Sequence, residues 1–147
     1  MDIRFYQLTT LSLDQALPRL IEKAYDAGFR GVVYFDFEDD LRAVDEALWT
    51  FSQMSFIPHG RHDEAYPAEQ PFYFTTTDEV PNNPNLLVSA SQKEHPEIQK
   101  FERVMEVFDG RDPISLHAAR ERYKSYRARG WSLTYWLQND DGGWSQG

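Results

Sequence analysis

Cysteine is absent from this chain, which excludes disulfide frameworks and thiolate zinc sites and suits a reducing compartment. Long apolar runs are absent as well. Nothing approaches the roughly 18 residues of a membrane span, and "MDIRFYQLTT" lacks the basic and apolar regions of a secretion signal. A soluble, cytoplasmic protein with no membrane partner is expected. Positive charge is scarce, with 15 Lys and Arg against 24 Asp and Glu and a formal net charge of −9. Such a surface repels the phosphate backbone and argues against general nucleic-acid binding by the whole molecule. No strand is followed by G-x-x-x-x-G-K-[ST] or G-x-G-x-x-G, and no G-x-S-x-G elbow occurs, so neither a nucleotide cofactor nor a catalytic constellation is expected.

What is present suffices for a core. Hydrophobic residues make up 41% and aromatics 15% of 147 residues, the size of one domain able to bury about two-thirds of its unfolded surface. "IRFYQL" (3–8), "GVVYFDF" (31–37), "PFYFTTT" (71–77), "NLLVSAS" (85–91) and "VMEVFDG" (104–110) read as strands. The third and fourth are spaced so that an antiparallel pair is allowed. Ser12 with Gln15 forms a capping box for a first helix, which Pro18 should bend and Gly28 close. Asp39 or Asp40 can cap a second helix, with its apolar stripe at Leu41, Val44 and Leu48. Pro96 opens a short third, and Asp112, Pro113 and Gly130 mark the cap, first turn and stop of a last helix. This alternation predicts an α/β fold, a Rossmann-like three-layer sandwich around a largely parallel five-stranded sheet, in a single domain over 1–147 with a flexible tail from about 138.

Three constellations bear on function. "HGRHDE" gathers His59, His62, Asp63 and Glu64, which are metal-ligand types, but a loop flanked by Pro and Gly does not oblige them to converge, and no metal is expected. "LWTFSQMSFIPH" strings Trp49, Phe51, Met54, Phe56 and Ile57 toward Pro58 and His59, either to finish the core or to anchor a partner. The third is "AARERYKSYRARGW". Here Arg120, Arg122, Lys124, Arg127 and Arg129 face one acid, Glu121, a net +4 that leaves −13 on the rest. At about 100° per residue, Arg120, Tyr123, Lys124 and Arg127 share one helical face. That face is either a solvated surface whose late cations suit the helix dipole or an anion site. Guanidinium groups beside a tyrosine ring fit an acidic peptide ending in a hydrophobic residue and a free carboxylate. They also fit single-stranded DNA, by stacking and phosphate pairing.

"DEALWTFSQMSFIPHG" and "EVFDG…AARERYKSYRARGWSLTYW", in this order around "QPFYFTTTDEVPN", resemble the chi subunit of bacterial DNA polymerase III over nearly the whole chain. The resemblance implies a non-catalytic clamp-loader subunit with a Rossmann-like fold that binds no nucleotide. It implies an adaptor that grips the acidic C-terminal tail of single-stranded DNA-binding protein and meets DNA only indirectly. Carried over by motif, the tail site is Arg120, Tyr123 and Lys124, to which helix geometry adds Arg127. The surface for the psi subunit would be Trp49, Phe56, Ile57 and Pro58, with His59 beside them. Another clamp-loader subunit or a DNA-repair helicase could take psi's place there. The rival expectation is a domain that binds single strands directly through the basic helix.

Overall fold

The computed structural model describes residues 1–51 and 57–147. Among them one sheet runs through the molecule, with eight strands in the order β3-β4-β2-β5-β6-β1-β7-β8. The strands are β1 (Asp2–Leu8), β2 (Gly31–Tyr34), β3 (His59–Arg61), β4 (Phe72–Thr75), β5 (Leu86–Ser89), β6 (Arg103–Asp109), β7 (Ser132–Gln138) and β8 (Trp144–Gln146). All neighbours are parallel except β7 and β8. The expected α/β sandwich is therefore present, with a larger sheet. The five strands read from the sequence are its contiguous centre, β4-β2-β5-β6-β1, and β3 at one end and β7 and β8 at the other extend it. The proposed antiparallel pairing of 71–77 with 85–91 does not occur. β4 and β5 lie on opposite sides of β2, each parallel to it.

Alternation along the strands builds two cores. Ile3 and Phe5 of β1 face one way, while Tyr6 and Leu8 face the other. On the second side pack α1 (Leu13–Asp26) and α2 (Glu38–Thr50), through Leu17, Leu20 and Ile21 and through Leu41, Val44 and Leu48. On the first side packs α3 (Pro113–Ala128), through Ala119 and Tyr126. The central strands β2, β4 and β5 are buried along their whole length, as strands covered on both faces must be.

The helix signals act where they were expected, with two exceptions. Gln15 accepts a hydrogen bond from the Ser12 N–H at 3.0 Å, and Pro18 is a buried member of α1. Asp112 accepts from the Ile114 N–H at 3.2 Å with Pro113 next to it, and Gly130 at φ +80 carries the chain out of α3. At α2 the cap position is Phe37, and Asp39 and Asp40 fall inside the first turn, where acids suit the positive end of the dipole. After Pro96 only a 3₁₀ turn forms, Ile98–Lys100, because Ile98 and Phe101 are drawn into the α3-side core. Beyond Gln138 a turn leads into β8, whose Trp144 ring packs edge-on against Tyr6 at 5.0 Å.

Candidate functional site

The flanks of α3 divide its basic residues into two kinds. Ala119, Arg122 and Tyr126 are buried toward the sheet. Burial of a cation requires a partner, and Arg122 has two. Its Nε lies 3.4 Å from Glu106 Oε2 and its Nη1 donates to the Gln92 carbonyl at 2.7 Å. Glu106 stands in the middle of β6, fully buried, and also accepts from the Tyr126 hydroxyl at 3.1 Å. Burial pushes its carboxyl up to about 7, against the attraction of Arg122 and the Tyr126 hydrogen bond, which pull it down. Arg129 is likewise engaged. It grips Glu94 bidentately at 2.7 and 3.0 Å and lies 4.8 Å over the Trp131 ring. That grip raises its pKa above the usual guanidinium value, with the Glu94 hydrogen bond as the main cause.

The other three cations face solvent. Arg120, Lys124 and Arg127 are exposed, one helical turn after another. Lys124 makes a loose contact with Glu121 at 3.5 Å, both side chains being more than half exposed. The side chains of Arg120 and Arg127 have no hydrogen bond or ion pair among the described residues. Between them Tyr123 is half-buried, its ring edge-on to Phe5 at 5.3 Å and to Tyr135 at 6.0 Å. The four residues expected on one face are thus together. The net +4 of the segment is not all available, since Arg122 and Arg129 are neutralised from within, leaving three outward cations against Glu121.

β7 supplies a part of the site that the sequence reading missed. Leu133 and Tyr135 are half-buried beside Tyr123 and continue its apolar floor to the sheet edge. Arg120 is near enough to Tyr135 to draw its phenol pKa down, although burial, the larger influence, leaves it raised. The signal was the alternation in "WSLTYW", which puts positions 133 and 135 on one side of a strand. The arrangement can hold an extended anion with an apolar end. Cations point out from the helix wall, and tyrosine rings and a leucine form the floor.

The second expected surface lies at the far end of α2. Trp49 is 50% exposed and its ring lies 4.2 Å from that of His59. Ile57 and His59 are buried, and Pro58 is partly exposed between them. Phe56, and Met54 with it, lie outside the described residues. His59 sits with Nδ1 2.7 Å from the Ile57 carbonyl and Nε2 3.0 Å from Asp45, while His62 Nε2 approaches Glu38 at 2.6 Å. Asp63 and Glu64 turn instead to Arg61. The two histidines therefore meet different acids of α2, and no metal-ligand cluster forms among the described residues.

With this geometry in view, sequence comparison decides the family. The profile described as "DNA polymerase III chi subunit, HolC" matches residues 1–134. The chain belongs to the DNA polymerase III chi-subunit family. Similar chi proteins include "Probable DNA polymerase III subunit chi" of Rickettsia prowazekii, 35% identical over 94 residues, 64% of this chain and 57% of that protein. "DNA polymerase III subunit chi" of Pseudomonas aeruginosa is 29% identical over 119 residues, 81% of this chain and 82% of that one. The Haemophilus influenzae protein of the same description is 27% identical over 135 residues, covering 89% and 93%. The match spans little more than half the length of the Rickettsia protein. By their descriptions, the family and these relatives are subunits of DNA polymerase III. All of α3 but only the first three residues of β7, 132–134, fall within the family match, and among the described residues no helix is long and apolar enough to cross a membrane.

Proposed function

We propose that this chain is a non-catalytic, cytoplasmic adaptor of the polymerase III clamp loader, and that it binds the acidic C-terminal tail of single-stranded DNA-binding protein with Arg120, Tyr123, Lys124 and Arg127. The observation that carries this reading is the row of three solvent-facing cations over a floor of Tyr123 and Tyr135, on a chain of net charge −9. Charge-assisted hydrogen bonds from guanidinium hold carboxylates, and the half-buried rings give a terminal apolar side chain somewhere to leave water. The tail's acids are repelled by the rest of the molecule and attracted here. Exposed ion pairs are screened by salt, so affinity is modest, on the order of micromolar, and falls as salt rises.

The surface around Trp49 and Pro58, with Phe56, Ile57 and His59 in the same segment, is assigned to the psi subunit or another clamp-loader subunit, or to a DNA-repair helicase in its place. Trp49 and Pro58 offer the accessible area, while Ile57 and His59 act from beneath by fixing their positions. The test is co-purification with intact single-stranded DNA-binding protein and with the same protein lacking its tail. Retention of the intact form alone is expected; equal retention of both would overturn the assignment. A bare oligonucleotide added in a third arm should bind weakly. Tight, length-dependent binding there would favour the direct single-strand reading instead.

A further inference from the structure

The face of the sheet opposite α3 carries a second meeting of cations and rings. A groove of about 800 Å³ runs beside α1, with β1, β7 and β8 as its floor. Tyr6 of β1 stands in register with Trp136 of β7, both on the α1 side, where Trp144 of β8 joins them. Tyr6 is buried and the two indoles are half-buried, so the indoles offer apolar area to whatever enters. The wall is α1, which contributes Arg19 and Lys23, four positions apart and therefore on one flank of the helix. Both are exposed, and their side chains have no hydrogen bond or ion pair among the described residues. Arg19 nonetheless has a defined seat. A Cβ on Gly142, in the turn between β7 and β8, would come 3.2 Å from its Nη1, so the bare glycine lets the guanidinium lie against the turn. Arg4 of β1 adds a third cation, with its Nε 3.3 Å from Asp2. The acids of the lining are already engaged, Asp141 by the Gly143 N–H at 2.9 Å and Glu22 by a partner of its own.

We propose that this groove is a second site for an acidic peptide end, on the face of the sheet opposite the first. It rests on the peptide-binding reading above for the class of its ligand. The two sites share a design and a strand, since Tyr135 floors one and Trp136, the next residue of β7, floors the other. Arg19 and Lys23 hold the terminal carboxylate and a neighbouring acid by charge-assisted hydrogen bonds, while the terminal apolar side chain leaves water against the indoles. With two unpaired cations it is the weaker of the two sites. Indole faces also suit stacked bases, but nucleic acid repeats its charge at every phosphate. On a chain of net charge −9, two unpaired cations match one peptide end and not a run of phosphates. Two sites on opposite faces let one chain hold two tails at once, so that avidity exceeds either single affinity.

The experiment uses the full chain, ¹⁵N-labelled, and a short synthetic peptide of aspartates closed by a phenylalanine with a free carboxylate. Peptide should shift the indole N–H signals of Trp136 and Trp144 in wild type and in Arg120→Ala alike, while that of Trp49, at the end of α2, stays in place. In the double variant Arg19→Ala, Lys23→Ala, whose altered side chains are exposed, the same shifts should need at least roughly tenfold more peptide. Calorimetry should count two peptides on wild type and one on that double variant. If wild type takes one peptide and neither indole signal moves, the second site is wrong and the first survives. If the indoles respond and Arg120→Ala binds as wild type, the second site stands and the first falls. If no peptide binds, both fall. An oligonucleotide of thymidines that moves the two indoles where the peptide does not would assign the groove to nucleic acid and overturn the proposal.

Discussion

Arg120 and Arg122 stand two positions apart on one helix and are put to opposite uses. Arg122 points into the sheet, nearly without solvent, against a carboxylate in the centre of β6. Arg120 points out, past a tyrosine, with no acid to meet it among the described residues. The difference teaches how to divide a basic run. A cation placed on the buried flank must find an internal acid or unfold the region, whereas one on the outer flank is left for a partner. A second division, by pairing and not by burial, separates Arg129, exposed but locked to Glu94, from Arg127, which is not.

Breaking the buried side should have the largest effect. Arg122→Ala leaves Glu106 without its cation and should cost about 3 to 5 kcal/mol of unfolding free energy, measured by urea denaturation at pH 8. At pH 6 the loss should be smaller, because the stranded carboxyl then takes up a proton. Next comes the pH dependence of the wild type. Glu106 is raised to about 7 in the folded chain from the ordinary 4.5 of a solvated glutamate, so between these values the folded state binds the extra proton. Its contribution to stability is present at low pH and is lost as pH climbs through about 7, on the order of 3 kcal/mol. Glu106→Gln should flatten that slope. Asp112→Ala disturbs neither flank but removes the cap of α3, at about 1 kcal/mol. Smallest is Lys124→Ala, which breaks only an exposed contact and should change stability by less than about 0.5 kcal/mol. A large stability loss in that last variant would erase the distinction between the two flanks.

The sequence made the helix, its cap and its outward face legible, because those depend on local periodicity and on Asp112, Pro113 and Gly130. It also revealed the central strands, whose apolar runs have little else to do. What it hid depends on distant partners. Glu106 looked like one more charge in "VMEVFDG", and nothing near it in sequence announces Arg122 and Tyr126, 16 and 20 positions away. Glu94, similarly, lies 35 positions before Arg129. The window therefore seemed uniformly basic when two of its five cations were already matched. β7 was obscured for another reason. Its residues are intermediate in burial, as befits a strand near the sheet edge, so its apolar pattern is weaker than that of β2 or β5. At the other end of the molecule the His59 pairing with Asp45 was out of reach of local pattern.

The most direct test compares one cation from each class in a single binding assay. A fluorescently labelled acidic peptide with a terminal phenylalanine and free carboxylate is titrated with wild type, Arg120→Ala and Arg129→Ala, each first checked for folding by circular dichroism. Loss of a charged hydrogen bond in Arg120→Ala should weaken binding by roughly tenfold, while Arg129→Ala, already occupied by Glu94, should bind as wild type. Equal affinity of wild type and Arg120→Ala would contradict the account.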